Sequence, residues 1–135
     1  MKYLVDANVL SEVTRPEPQR QVVDWLQANE QELAVDPIVI GEIRYGILLL
    51  PSGKRRRRLE TWFDSGVRRI HCLEWAADHG VRWAALLADL KKRGQVMPVK
   101  DSLIATSAII HDLTVVTRNV ADFDRARVRT LDPFM

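Results

Sequence analysis

Hydrophobic positions fall in short runs that alternate with longer stretches of helical spacing. Tyr3, Leu4 and Val5 read as a strand, and Val9 and Leu10 resume the apolar pattern as a short helix. Pro16 and Pro18 mark a turn, after which Gln19 to Asn29 carries Val22, Val23 and Leu26 at helical spacing. Leu33 to Val35 is a brief strand. Pro37 suits the first turn of a helix, and Ile38 to Leu50 runs apolar almost throughout until Pro51. Ser52 and Gly53 lead into a basic helix that includes Leu59, Trp62 and Phe63 and stops at Gly66. Val67 to Leu73 reads as a short strand. Glu74 to Arg93 carries Trp75, Ala76, His79, Trp83, Leu86, Leu87 and Leu90 on one broad stripe, a long amphipathic helix closed by Gly94. Pro98 precedes a helix over Lys100 to His111. Thr114 to Thr117 is a β-branched strand, and Val128 to Leu131 reads as the last one.

Strands alternating with helices predict an α/β architecture: a parallel or mostly parallel central sheet flanked by helices. No internal repeat, linker or low-complexity tract interrupts the pattern, so residues 1–135 form a single domain. A chain of this length buries a core without metal or disulfide staples. Hydrophobic residues make up 47% and charged residues 28%, a balance that argues for a folded globular protein. No uncharged apolar stretch approaches the ~18 residues of a membrane span. The N-terminus lacks a charged-then-apolar export pattern, and the single Cys72 fits a reducing cytoplasm, so a cytoplasmic location is expected.

The net charge of +2 hides a concentration of basic residues. Lys54, Arg55, Arg56, Arg57 and Arg58 are consecutive; without them the acids outnumber the bases. Five cations in a row cover every direction of a helix, so the run reads as solvated or partner-contacting surface. It also offers salt-sensitive contacts to RNA phosphates.

Four acids stand where the surrounding pattern is apolar. Asp6 lies at the exit of the first strand, the edge at which open α/β sheets place their ligands, although Asp is also a common helix cap. Glu42 lies in PIVIGEIRYGILLL with no cation three or four residues away, so it must be solvated, paired from another element, or bound to a metal. Gly46, one turn on, leaves space beside it. Asp101 is the one charge before Asp112 in DSLIATSAIIHD, though an acid in a first helical turn is also favoured by the macrodipole. Asp122 follows the strand of VVTRNVADFD and precedes Phe123, which can anchor it. Converged carboxylates repel unless a cation compensates, and hard ions such as magnesium and manganese prefer such oxygens. An ion held there activates a water for attack on a phosphodiester and stabilises the leaving oxygen.

DANVLSE, GEIRYGI, DSLIATSAI and VVTRNVADF, in that order and at these spacings, resemble PIN-domain nucleases. The likeness is greatest to the VapC-type toxins of bacterial toxin–antitoxin pairs, including the FitB-like group, and covers nearly the whole chain down to LDPF. It implies a PIN-like fold, a Mg2+- or Mn2+-dependent endoribonuclease that hydrolyses RNA, and a homodimer. It also implies a cognate antitoxin that inserts a basic side chain among the acids. The family's acids match Asp6, Glu42, Asp101 and Asp122, with Asp6 and Asp101 as the direct metal ligands. Thr117 and Asn119 match polar positions flanking the pocket. Ala7 stands where relatives often carry Ser or Thr, and Asn119 where many carry an acid. Arg44 and Arg118 flank proposed site acids and are the candidate phosphate contacts. Val22, Leu26, Ile47 and Leu50 are the candidate antitoxin surface.

Other chemistries fit poorly. A P-loop is excluded, because Leu48 replaces its first glycine and Arg55 its Ser or Thr. His71, Cys72, His79 and His111 lack zinc-site spacing. A phosphoacceptor domain needs adjacent acids after the first strand and a lysine after a late one; Arg118 stands there instead. Trp25, Trp62, Trp75 and Trp83 read as packing residues. The stronger rival is a PIN-fold protein that binds RNA or a partner without cutting, but all four acids are present.

Overall fold

Every strand pairing in the sheet is parallel, and the strand order reverses in the middle. The computed structural model describes all 135 residues. Its strands are β1 (Tyr3–Val5), β2 (Leu33–Val35), β3 (His71–Cys72), β4 (Thr114–Val116) and β5 (Thr130–Leu131), in the order β3-β2-β1-β4-β5. Tyr3 is in register with Leu33 on one side and Thr114 on the other, which makes β1 the central strand. Leu4, Val5, Ala34, Val35, Val115 and Val116 are fully buried. Such continuous apolar runs belong to a sheet covered on both faces.

The covering helices are α1 (Ala7–Leu10), α2 (Arg20–Ala28), α3 (Pro37–Leu48), α4 (Lys54–Ser65), α5 (Ala77–Lys92), α6 (Val99–His111) and α7 (Val120–Asp124). None is long and apolar enough to cross a membrane. Pro37 sits in the first turn of α3 behind Asp36, whose side chain caps the Ile38 N–H. At the other end of α6, Asp112 takes a left-handed φ of 54° and turns the chain directly into β4.

Three elements differ from the sequence pattern. Val67–Arg69 forms a 3-10 turn rather than strand, leaving only His71–Cys72 to pair with β2. The long helix begins at Ala77, because Ala76 is extended and the Trp75 indole Nε1 donates to Asp36 Oδ2 at 3.3 Å. Residues after β4 form the short helix α7, held by Phe123, which is fully buried. Burying one such aromatic contributes about 2–3 kcal/mol.

The apolar face assigned to a protein partner also needs correction. Val22, Leu26 and Ile47 lie in the core, whereas Leu50, the fourth of that set, is half-buried. Exposed apolar side chains on and just after α3 are instead Tyr45, Leu48 and Leu49.

Candidate active site

The chain passes from β1 to β2 and β3 on one side of the sheet, and from β4 to β5 on the other. The crevice between β1 and β4 is therefore a topological switch point, where α/β sheets open a ligand site at the carboxyl ends of their strands. Asp6 and Thr117 stand at its two sides. The Asp6 N–H donates to the Val116 carbonyl at 2.9 Å, so the two strand exits are fixed to each other by backbone.

Asp6 is buried, and both its oxygens accept hydrogen bonds while keeping acceptor capacity to spare. Its Oδ1 accepts from the Ala7 N–H at 2.8 Å, capping α1. Its Oδ2 accepts from the Thr117 hydroxyl at 2.8 Å and, more weakly, from Asn8 Nδ2 at 3.4 Å. Burial pushes the Asp6 carboxyl above the ordinary carboxylate range, against the hydrogen bonds from Thr117 and Ala7 that lower it. The Thr117 hydroxyl accepts in turn from the Asn119 N–H at 3.0 Å, and the Arg118 N–H donates to Asn8 Oδ1 at 3.2 Å. The loop after β4 is thereby fastened to the loop after β1.

Asp101 enters from the first turn of α6 and Asp122 from the first turn of α7. The Asp101 carboxyl is pushed up to about 6, first by burial, then by the charges of Asp6 and Asp122, by a hydrogen bond shared with Asp122, and by Glu42. Four elements thus bring the four acids into one electrostatic unit. That coupling is the physical signature of converged carboxylates.

Glu42 finds a partner from another element. Lys100 Nζ donates to its Oε1 at 2.7 Å, bridging α3 and α6, and the ammonium also lowers Asp6. Asp122 has its own cation, Arg125 Nη1, at 3.6 Å. Beside Glu42, the position where a Cβ on Gly46 would sit has no atom within 4 Å. A cavity of about 380 Å³ opens there, lined by Asn8, Glu42, Gly46, Arg55 and Trp62 among others.

Not every residue singled out in the sequence reaches the acids. Arg44 lies two positions from Glu42, about 200° around the helix. It turns to α4, where Nη1 is 3.6 Å from Glu60 Oε2 and the guanidinium lies over the Phe63 ring. Arg118 is beside Asn8 through its backbone, while its guanidinium lies over the Phe134 ring at 4.2 Å. Asn119 contributes its backbone and makes no side-chain cap. In the basic run, Arg56 is committed to the Leu50 carbonyl and to Glu60, whereas Arg55 lines the cavity beside Glu42.

The donors present suit a hard divalent ion: carboxylate oxygens, with one carboxyl, Asp101, already pushed up by the charges of its neighbours. No three of the acids are gathered as a closed ligand set. Magnesium, which takes one or two carboxylates and keeps several waters, needs none.

A second buried cluster escaped the sequence reading. Asp36, at the exit of β2, accepts from the Ser107 hydroxyl and from Trp75 Nε1, and Ser107 Oγ is 2.7 Å from His79 Nε2. With Asp36 accepting from that hydroxyl, the imidazole Nε2 is the donor to Ser107. This network joins the exit of β2 to α5 and α6.

The PIN domain family model matches residues 3–128. A VapC ribonuclease of Sinorhizobium fredii is 31% identical, over 97% of this chain and 96% of its own length. Toxin FitB of Neisseria gonorrhoeae is 30% identical, over 97% of each chain. The crystal structure of FitAcB from Neisseria gonorrhoeae superposes with a TM-score of 0.86 at 30% identity, covering 98% of both chains. The converged acids at a parallel-sheet edge and these full-length likenesses agree: the chain belongs to the PIN-domain family, in its VapC- and FitB-like group.

Proposed function

We propose that this protein is a metal-dependent endoribonuclease, the toxin of a type II toxin–antitoxin pair, with Mg2+ or Mn2+ as its cofactor. The observation that carries the reading is the coupling of Asp101 to Asp6, Asp122 and Glu42, acids brought from four separate elements close enough to raise its carboxyl together. The ribonuclease and toxin relatives, similar over nearly their full lengths, support the same activity. The similar FitAcB structure supports an antitoxin partner. A homodimer and a cytoplasmic location complete the reading.

Asp6 and Asp101 are the direct metal ligands in this reading. Glu42 and Asp122 hold the surrounding water and complete the negative field. Thr117 and the Ala7 N–H fix the Asp6 carboxylate in one orientation. Asn8, Arg118 and Asn119 stiffen the paired loops that frame the substrate. When bound, the divalent ion supplies a more acidic water as nucleophile and offsets charge on the phosphodiester.

The test is cleavage of a structured RNA pool by purified protein with magnesium, with manganese and with chelator, alongside Asp101→Asn. Metal-dependent cutting that disappears in the variant is the expected result. Equal metal-dependent cutting by both proteins, purified identically, overturns the assignment of Asp101.

A further inference from the structure

An RNA strand approaching four carboxylates meets a field of its own sign, and the site must supply cations to receive it. Two side chains of this chain bring positive charge into contact with the acids. Arg125 is already committed, since its Nη1 donates to the Val96 carbonyl at 2.5 Å as well as facing Asp122. Lys100 is not. Glu42 Oε1 is its one hydrogen-bond partner, at 2.7 Å, and its side chain is 53% exposed. An ammonium carries three donors, so two remain without a protein partner on a half-exposed side chain beside Glu42.

The position of Lys100 adds to this. It precedes Asp101 on the first turn of α6, and its charge is felt at Asp6. Without a divalent ion, it is the cation nearest the acids that has no competing backbone partner. With one bound, the pull of Glu42 on the ammonium weakens, and its flexible stem lets it turn to the next anion.

We propose that Lys100 is a substrate-binding residue of this site, its ammonium taking an oxygen of the RNA phosphate beside the acids. The assignment rests on the nuclease reading above. It makes two predictions of opposite sign. Removing Lys100 frees Glu42 and deepens the negative field, so the metal binds more tightly. The same change removes a phosphate contact, so RNA binds more weakly.

The experiment uses the full chain, as wild type, Lys100→Ala and Lys100→Arg. Binding of a fluorescent single-stranded RNA is followed by anisotropy with calcium in place of magnesium, across a salt series. Mn2+ binding is followed by calorimetry, and RNA cleavage with Mn2+ is measured in parallel. Lys100→Ala is expected to raise the RNA Kd about tenfold at low salt. It should also shrink the slope of log affinity against log salt by about 0.7, the loss of one phosphate contact on a single strand. Mn2+ should bind this variant more tightly, and Lys100→Arg should recover most of the RNA affinity.

An unchanged RNA Kd and salt slope in Lys100→Ala would leave Lys100 as a counter-ion of Glu42 and overturn the proposal. If wild type cuts RNA and the variant is equally fast at limiting RNA, the assignment falls and the nuclease stands. If wild type neither cuts nor binds RNA, both fall together.

Discussion

The hydroxyl of Thr117 donates to Asp6 Oδ2 at 2.8 Å, linking the exits of the two strands that frame the site. This bond opposes burial, which drives the Asp6 carboxyl upward. Thr117→Val keeps the shape and removes the donor. The Asp6 carboxyl then rises further, so the acidic limb of the pH–rate profile should move to higher pH. A lost buried bond to a carboxylate should also cost about 1–3 kcal/mol of stability, read by urea denaturation.

Asp101 provides a pH dependence with a definite sign. Its ordinary value of 3.8 is raised to about 6 in the fold, so the native state holds a proton that the unfolded chain releases. The contribution of this group to stability is greatest below the lower value, and is lost as pH rises through the window between them. Above the upper value the metal-free fold bears the whole penalty. Asp101→Asn should therefore melt higher than wild type in chelator at neutral pH, by a few degrees, with the gap closing toward pH 4. Saturating Mn2+ should reverse that order, since it stabilises only the chain that retains its ligands.

Ser107 stands between Asp36 and His79 in the second buried network. Ser107→Ala leaves two buried polar partners short of a hydrogen bond, and should destabilise the fold by about 2–4 kcal/mol. Chemical denaturation measures the loss. RNA cleavage per folded molecule should stay close to wild type, because none of the four acids touches this serine.

The four acids were legible because each is a charge set into an apolar run, and because strand exits and first helical turns are defined by local sequence. Phe123 as the anchor of Asp122 was legible for the same reason. Partners from distant elements were not. Glu42 lacked a helical cation, and the one it uses, Lys100, lies beside Asp101 in the sequence and on another helix in space. Asp36 follows a strand just as Asp6 does, and that shared position was the available signal for the second cluster. Preceding Pro37, however, it also stands at a helix boundary, where Asp is a common cap. Arg44 shows the opposite error: closeness in sequence to Glu42 placed it on the other side of the helix, against Glu60 and Phe63.

The order in which the acids occur along the chain has a consequence for biosynthesis. Asp6 and Glu42 emerge early from a translating ribosome, but their pocket needs α6, β4 and α7, which are among the last elements made. Thr117, the residue that orients Asp6, also comes from that late segment. A chain interrupted before α7 holds two or three of the carboxylates and no finished crevice. If these acids form the catalytic set, truncated products of a stalled or cleaved message should not cut RNA, and the activity should arrive only with completion of the fold.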